Sequence, residues 1–485
     1  MTSPLAVVAL VGRMVVLFAL LMLVPMAFAW ADHDRAEKPF FMALVITLAS
    51  GLVLSLTTRR FRRELQPRDG FVLVTLTWMV LPVFGALPLW LALPPLSATD
   101  AYFESMSALT ASGATVLSGL DALPLSINVW RCFLNFVGGL GIVVLAVAIL
   151  PMLGVGGTQI FRAETPGPLK DQKLTPRIAE TARGLWTVYF ALSIACFVAY
   201  RVAGMSWSDA FMHMCSTISL GGLSSHDAGF AHWDSPVLEG VAMLFMLAAG
   251  VSFTLYFIAW RRRSLRPLWR DGELRAYLLL LLAAVLVVAW YLHRERVYPD
   301  FAVALRHAAF QVMSVATTGG FTTVDYGQWP IFASMLMLGL GCFATCAGSA
   351  GGGIKMMRLL LLVKQTYREL VRIVHPQVVN PVVMAGTAVH PRVIHSVLAF
   401  MLIYGAVTLT LTMLLLFSGL DLVTALTAVV ACLNNIGPGL GSVGPASNYS
   451  GLTDFQTWVC TLGMLLGRLE LLSVLVLFTP QFWYR

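Results

Sequence analysis

The chain has 485 residues, 58% of them hydrophobic and only 12% charged, about half the charged share of a soluble domain, roughly 25%. That balance excludes a soluble enzyme and indicates a polytopic membrane protein. The formal charge of +8 does not signal nucleic acid, because the basic residues sit in short loops between apolar runs and form no continuous basic stretch.

Apolar runs near or above the ~20 residues that cross a bilayer recur along the whole chain, at 15–30, 40–56, 72–93, 129–153, 185–202, 237–260, 277–291, 393–416 and 458–478. The first, with Arg13 ahead of it and Ala27-Phe28-Ala29 behind, has the outline of a signal peptide. Arg13 is the only basic residue before the run and apolar residues already dominate upstream of it, so a retained helix is expected. Four basic clusters fall between the runs: Arg59, Arg60, Arg62, Arg63 and Arg68; Lys170, Lys173, Arg177 and Arg183; Arg261, Arg262, Arg263, Arg266 and Arg270; and Lys364, Arg368 and Arg372. An excess of Lys and Arg marks cytoplasmic loops, which leaves 31–38 outside. The seven cysteines and nine histidines show no C-x-x-C or H-E-x-x-H spacing; neither a disulfide framework nor zinc is indicated. His213, alone near a glycine motif, reads as structural.

Between successive clusters lies one unit, a long apolar helix, a shorter segment ending in glycine, and a second long helix, and it occurs four times. The glycine motifs are ASGAT at 111–115, SLGGL at 219–223, TTGGF at 317–321 and NIGPG at 435–439. Aligned on their first glycines, Gly113, Gly221, Gly319 and Gly437 correspond. The segments before them, 101–109, 208–218, 303–316 and 423–433, are too short to span and suggest re-entrant helices. Asp100, Asp209, Asp300 and Asp421 stand near their starts, where the positive dipole end favours acid.

Non-helical backbone at membrane depth is tolerated only where protein buries it or it lines a cavity. Four such segments around one axis make a pore whose carbonyls can replace the hydration shell of a monovalent cation. Asp121, Asp227 and Asp325 follow three of the motifs, either drawing cations to an outer mouth or capping turns. A single small-residue motif would mean helix packing; four in register mean more.

The stretch Gly348, Ser349, Ala350, Gly351, Gly352, Gly353, Ile354, Lys355 mimics a phosphate loop. A Walker loop needs Lys directly after its second glycine and then Ser or Thr; here Ile354 intervenes and Met356 follows Lys355, so an ATPase is not indicated. A secondary transporter of organic solutes would need polar or aromatic side chains around a midplane pocket, and the spans offer few. A helix from 331 to 367 would be too long for one crossing at ~1.5 Å per residue, so a break at 348–353 is expected.

The motifs LTASGATVLSGLD, ILPMLGVGGTQIFRAETPGP, STISLGGLSSHD, SVATTGGFTTVD, GSAGGGIK, NNIGPGLG and GRLE resemble those of the Trk/Ktr/HKT superfamily of potassium transporters, on the side of the bacterial Trk-type membrane subunit. The resemblance implies an all-α polytopic membrane protein, with two N-terminal helices (1–69) and four helix, pore-loop, helix repeats (70–165, 180–265, 274–375 with a broken second helix, and 390–485) in pseudo-fourfold arrangement around one pore. It implies potassium uptake across a bacterial inner membrane, with rubidium as surrogate ion, no enzymatic activity and no organic cofactor on this chain. A homodimer and a cytoplasmic nucleotide-binding regulatory subunit are implied partners. K+ coordination would fall on backbone carbonyls of Ala111, Ser112 and Gly113, of Ser219, Leu220 and Gly221, of Thr317, Thr318 and Gly319, and of Asn435, Ile436 and Gly437. The loop from Gly348 to Gly353 would be an intramembrane gate, with Lys355 at its hinge and Arg468, from GRLE, below the filter. Glu470, two residues on, is a poor partner for Arg468 because residues two apart share no helix face. The alternative within the superfamily is a cation symporter or a less selective Na+/K+ transporter. Ala111 and Ser112 stand where relatives carry threonines, and Asn435, Ile436 and Pro438 suggest a less regular fourth strand and imperfect fourfold geometry.

Overall fold

The computed structural model describes residues 5–61, 67–144, 174–384 and 386–483. The motif at 149–168 and basic residues Arg62, Arg63, Lys170 and Lys173 lie outside these. Among the described residues, six helices are long and apolar enough to cross a membrane, or up to eight if each of two sharply bent pairs is one span. Their outer faces expose Leu17, Val53, Ile194, Leu279 and Leu402, the apolar surface that a bilayer covers.

The first span comprises Leu5–Leu21 and Leu23–Asp32. Its turn at Met22 precedes Pro25, which has no amide hydrogen to bond the preceding turn. Glu37–Thr57 packs back along it. The two helices meet at glycine: a Cβ on Gly12 would lie 2.8 Å from the Ser55 amide nitrogen, and one on Gly51 would lie 2.8 Å from that of Val16. Small residues of this kind let membrane helices approach backbone to backbone.

Each repeat then supplies a half-length helix, Ala98–Leu109, Trp207–Ser219, Phe301–Ala316 and Leu422–Asn434. Their caps differ from the simple acid rule. Asp300 and Asp421 are themselves N-caps, accepting from the amides of Ala302 and Thr424. Asp100 and Asp209 lie inside the first turn, where Ser97 and Ser206 are the caps. Each serine hydroxyl accepts the aspartate amide at 3.0 Å and donates to the same residue's carboxylate, at 2.8 and 2.7 Å. Both arrangements satisfy orphan donors at a helix start.

The second helices are less regular than the apolar runs suggest. A break was expected in repeat 3, and there Ile331–Phe343 and Met356–Val374 flank a non-helical stretch, 344–355. Repeats 2 and 4, which read as continuous runs at 237–260 and 458–478, are also broken. Pro236–Ala249 and Phe253–Arg262 are bent by 85°, and Asp454–Arg468 and Leu472–Phe478 by 102°. The bend in repeat 2 and the stretch in repeat 3 satisfy each other. The Cys346 amide donates to Gly250 O at 3.0 Å, that of Ala350 to Ala249 O at 3.3 Å, and that of Phe253 to Gly348 O at 3.1 Å. A hydropathy profile cannot see such exchange of partners between two breaks.

The glycine contact in the N-terminal pair is testable against a control. Gly240, inside a helix with open space at its Cβ position, should gain up to about 1 kcal/mol on replacement by Ala. Gly51→Ala should instead lower the melting temperature of the purified chain, because its methyl meets backbone.

Candidate functional site

The four short helices end in the same turn. Ala111, Leu220, Thr318 and Asn435 all adopt the left-handed conformation, with φ of 50°, 56°, 62° and 54°. The following amide reaches back to a carbonyl in the last helical turn: Ser112 to Ser107, Gly221 to Ser216, Gly319 to Ser314 and Ile436 to Ala431. This is the Schellman closure of a helix C-terminus, here without glycine at the left-handed position. Two residues after the left-handed position the chain is again at positive φ, at Gly113, Gly222, Gly320 and Gly437.

Structural equivalence therefore runs through Gly113, Gly222, Gly320 and Gly437, and alignment on first glycines is one residue out of step in repeats 2 and 3. Gly221 and Gly319 correspond to Ser112 and Ile436. Ser219 and Thr317 fall level with Thr110 and Asn434, one step before the left-handed residue. The doubt about the fourth strand is also corrected. Asn435 and Ile436 keep the turn of the other three despite Pro438, since Asn enters the left-handed region more readily than most residues.

These glycines close a ring. A Cβ on Gly113 would lie 2.6 Å from Gly221 O, on Gly222 2.6 Å from Gly319 O, on Gly320 2.5 Å from Ile436 O, and on Gly437 2.8 Å from Ser112 O. Each repeat thus presses its glycine against the carbonyl of the next, and the fourth returns to the first. Beyond them lies a cavity of about 100 Å³ whose lining includes Gly113, Gly222, Gly320 and Gly437, but neither Gly221 nor Gly319.

The strand leaving each turn is held by a polar group in its own short helix, a feature the sequence reading missed. In repeat 1, Glu104 accepts from the Thr115 hydroxyl and the Val116 amide and is paired with Arg131 at 2.7 Å, both side chains fully buried. At the same offset before the left-handed residue stand His213 and Gln311. His213 Nδ1 lies 2.9 Å from the Asp209 carbonyl, to which it donates, so Nε2 accepts from the Ser224 hydroxyl at 3.1 Å. Gln311, with its amide oxygen turned to the strand, accepts from the amides of Thr323 and Val324 at 2.8 and 3.1 Å. Repeat 4 has Ala428 there, and its neighbour Thr427 accepts from the Leu440 amide at 2.9 Å. The common offset was the available signal, but it emerges only once the register is set by the turn instead of by glycine.

On the helix side of the ring lies the stretch 344–355. Gly351 and Gly352 pack directly under it: a Cβ on Gly351 would lie 3.1 Å from Thr317 O, and one on Gly352 would overlap the Asn434 carbonyl. The Gly352 amide donates to the Thr318 hydroxyl at 3.0 Å, and the Thr345 hydroxyl donates to Gly352 O at 2.7 Å. Gly348 and Gly353 have positive φ, and so does Lys355, at 81°, whose ammonium donates to Gly351 O. Ser349 is buried, and its hydroxyl has no partner among the described residues. Arg468, 3% exposed, donates to Ala350 O at 3.0 Å and to Gly138 O at 3.4 Å. Glu470 is not its partner; it pairs with Arg358 at 2.6 Å, and the Arg358 guanidinium also lies 4.1 Å from the Phe400 ring centre. Buried Glu273 ties both ends of the stretch, accepting from the Ala347 amide at 2.8 Å and the Met357 amide at 3.1 Å. Glu273 and Arg358 stand among other charges at helix starts and carried no distinct sequence signal, while Glu470 was visible in GRLE but without its partner.

The three acids beyond the ring are engaged in loop structure. Asp121 accepts from His226 and from the Asp227 amide, Asp227 accepts from the Leu120 amide at 2.8 Å, and Asp325 accepts from the Gly327 amide and from Gln328. The His226 bond holds the Asp121 carboxyl below its ordinary range. Asp227 also lines the cavity; Asp121 and Asp325 do not.

Comparison with known proteins bears on this arrangement. A family model described as a cation transport protein, TrkH, matches residues 36–484. The chain belongs to the TrkH family. The Trk system potassium uptake protein TrkH of Vibrio parahaemolyticus is 44% identical over 481 residues, covering 99% of each chain. The protein of the same description from Escherichia coli K12 is 43% identical over 479 residues, again 99% of each. A crystal structure of the potassium transporter TrkH from Vibrio parahaemolyticus matches with a TM-score of 0.92 at 41% identity, over 99% of both chains. The TrkH relatives are transporters by description, not enzymes, and the TrkH fold accounts for the all-α repeats around one axis.

The corrected register makes a sharp comparison within one repeat. A methyl on Gly319 would meet the flexible Met246 side chain, whereas one on Gly320 would meet the Ile436 carbonyl at positive φ. Gly320→Ala should destabilise the chain more than Gly319→Ala, by at least the roughly 1–2 kcal/mol of a left-handed non-glycine residue, read as melting temperature. Glu104→Ala, which leaves Arg131 buried and unpaired, should cost about 3–5 kcal/mol in the same assay.

Proposed function

We propose that this chain is the potassium-conducting subunit of a bacterial Trk-type uptake system, a multi-pass protein of the inner membrane built from the four repeats. The observation that carries the reading is the closed ring of four glycine-to-carbonyl approaches, one per repeat. The relatives named as potassium uptake proteins support it over nearly the full chain.

In this reading K+ sheds water against stacked carbonyls. One level is Ala111, Leu220, Thr318 and Asn435; the next is Ser112, Gly221, Gly319 and Ile436; the last is Gly113, Gly222, Gly320 and Gly437. The set thus gains Gly222 and Gly320, while Ser219 and Thr317 belong to a lower level. Four helix C-termini converge below, and their partial negative charge favours a cation. Backbone oxygens on a frame fixed by buried polar bonds keep their spacing, which selection among monovalent cations requires.

The stretch 348–353 is the gate. It fills the space under the ring, it is held by Arg468, Lys355, Thr345 and Glu273, and its glycines give it more than one accessible backbone path. Control of that gate comes from a cytoplasmic nucleotide-binding subunit, and two copies of the chain assemble together; the absence of a nucleotide loop in 348–355 supports assigning nucleotide sensing to another chain.

Rubidium uptake into liposomes holding the purified chain and its partner tests the reading. Uptake should be competed by K+ and left unaffected by amino acids or sugars, and no uptake with the partner present would overturn the proposal. Reversal potentials in K+/Na+ gradients at several pH values report selectivity and coupling together. For the gate, loss of the Arg468 bond in Arg468→Ala removes a charged hydrogen bond of about 1.5–3 kcal/mol, raising flux roughly tenfold to a hundredfold. Deleting residues 348–353 should raise it as well; unchanged flux in a folded protein counts against the gate.

A further inference from the structure

The loops beyond the ring bring together three side chains that no spacing in the sequence connects. Asp121, in the turn Leu120–Ala122 of repeat 1, meets His226 and His232 from repeat 2, and one ligand atom from each lies within 4.8 Å of the others. The two imidazoles stack with ring centres 3.6 Å apart and planes 6° from parallel. His226 Nδ1 is bonded to Asp121 Oδ1, while His226 Nε2 is buried with no hydrogen bond among the described residues and lies 3.4 Å from Asp209 Oδ1.

The surroundings are rigid. Trp233 sets its edge against both rings, at 5.0 and 4.9 Å. The chain between the histidines is pinned to repeat 3 by buried Phe230, whose amide donates to Thr322 O at 3.0 Å. The His226 amide donates to Ser224 Oγ at 3.1 Å, the same serine that caps His213. His226 and Asp227 both line the cavity beyond the glycine ring.

We propose that Asp121, His226 and His232 form a binding site for a divalent transition-metal ion of the zinc class, at the rim of that cavity and across the seam between repeats 1 and 2. Two imidazoles and a carboxylate are a donor set for such ions, while Mg2+ and Ca2+ prefer oxygen alone. Zinc bonds of ~2.0–2.1 Å in a tetrahedron put ligand atoms about 3.3 Å apart; Asp121 and His226 are already in contact, so the adjustment falls on the wider separations, none of which exceeds 4.8 Å. Rotation of the exposed His232 and Asp121 side chains supplies that movement, and water takes the fourth position. A dication fixed here would oppose other cations approaching the ring and would tie the outer loops of two repeats together.

The test is Zn2+ binding to the purified, tag-free full chain by titration calorimetry, with Mg2+ as contrast. Binding is read without transport, so it stands apart from the potassium reading. One saturable Zn2+ site per chain is expected, together with a rise in melting temperature on adding Zn2+. His226→Ala and, separately, His232→Ala should each weaken binding by at least about tenfold, the scale on which even groups behind a metal ligand act. His232 is exposed, so His232→Ala and Asp121→Asn keep the test valid if His226→Ala fails to fold. No saturable binding, equal affinity in His232→Ala and the unsubstituted chain, or equal competition by Mg2+ would each overturn the proposal.

Discussion

A backbone amide or carbonyl at membrane depth must find a partner inside the protein, because the hydrocarbon offers none. Among the described residues of the repeats, the chain departs from helix at the four turns and at three breaks in the second helices. The turns close on their own helices through the same backward bond, Ser112 to Ser107 and its three counterparts. The breaks in repeats 2 and 3 answer one another, Cys346 and Ala350 giving to Gly250 and Ala249 while Phe253 gives to Gly348. In repeat 4 the amides of Leu469, Glu470 and Leu471 turn back to the carbonyls of Leu465, Gly467 and Leu466, and the Arg468 side chain meets the Ala350 carbonyl of the repeat 3 stretch.

The fourfold arrangement is a property of backbone more than of sequence. Alanine, leucine, threonine and asparagine share one left-handed position, at a cost of about 1–2 kcal/mol for a residue with a Cβ. What holds them there is unlike in each repeat: a carboxylate paired to arginine, a neutral imidazole, an amide and a hydroxyl, through Glu104, His213, Gln311 and Thr427. Chemically different groups perform the same task, fixing the strand that follows the turn. The glycine two residues beyond is the common element, because there the neighbouring repeat's carbonyl leaves no room for a methyl.

Much of this was legible beforehand. Composition and run lengths gave a polytopic helical protein, and short helices before glycine motifs gave four repeats, because half-length apolar segments are distinctive. Register was misread in repeats 2 and 3, where two glycines adjoin and nothing local says which one must bear positive φ. Breaks in repeats 2 and 4 were hidden for a different reason: MLAAGVSF stays apolar through its bend, GRLELLSV carries Arg468 and Glu470 but no proline, and the groups that meet these segments come from a distant repeat. Glu273 and the Arg358–Glu470 pair were not legible as ties because each residue stands near other charges, Asp271, Lys355 and Arg468 among them, and nothing local singles out its distant partner. The acids beyond the glycines were noticed but assigned to attraction or turn formation, and only coordinates bring Asp121 to the two histidines.

The exchange of amides between the two breaks also constrains how this protein can vary. Bonds from Cys346 and Ala350 run one way and the bond from Phe253 runs the other, so the segments fit in one alignment only. Inserting or removing a single residue in either would set donor against donor over part of the seam. The lengths of 249–253 and 344–355 are thus bound together as a pair, and a change of length in one is viable only with an answering change in a segment nearly a hundred residues away.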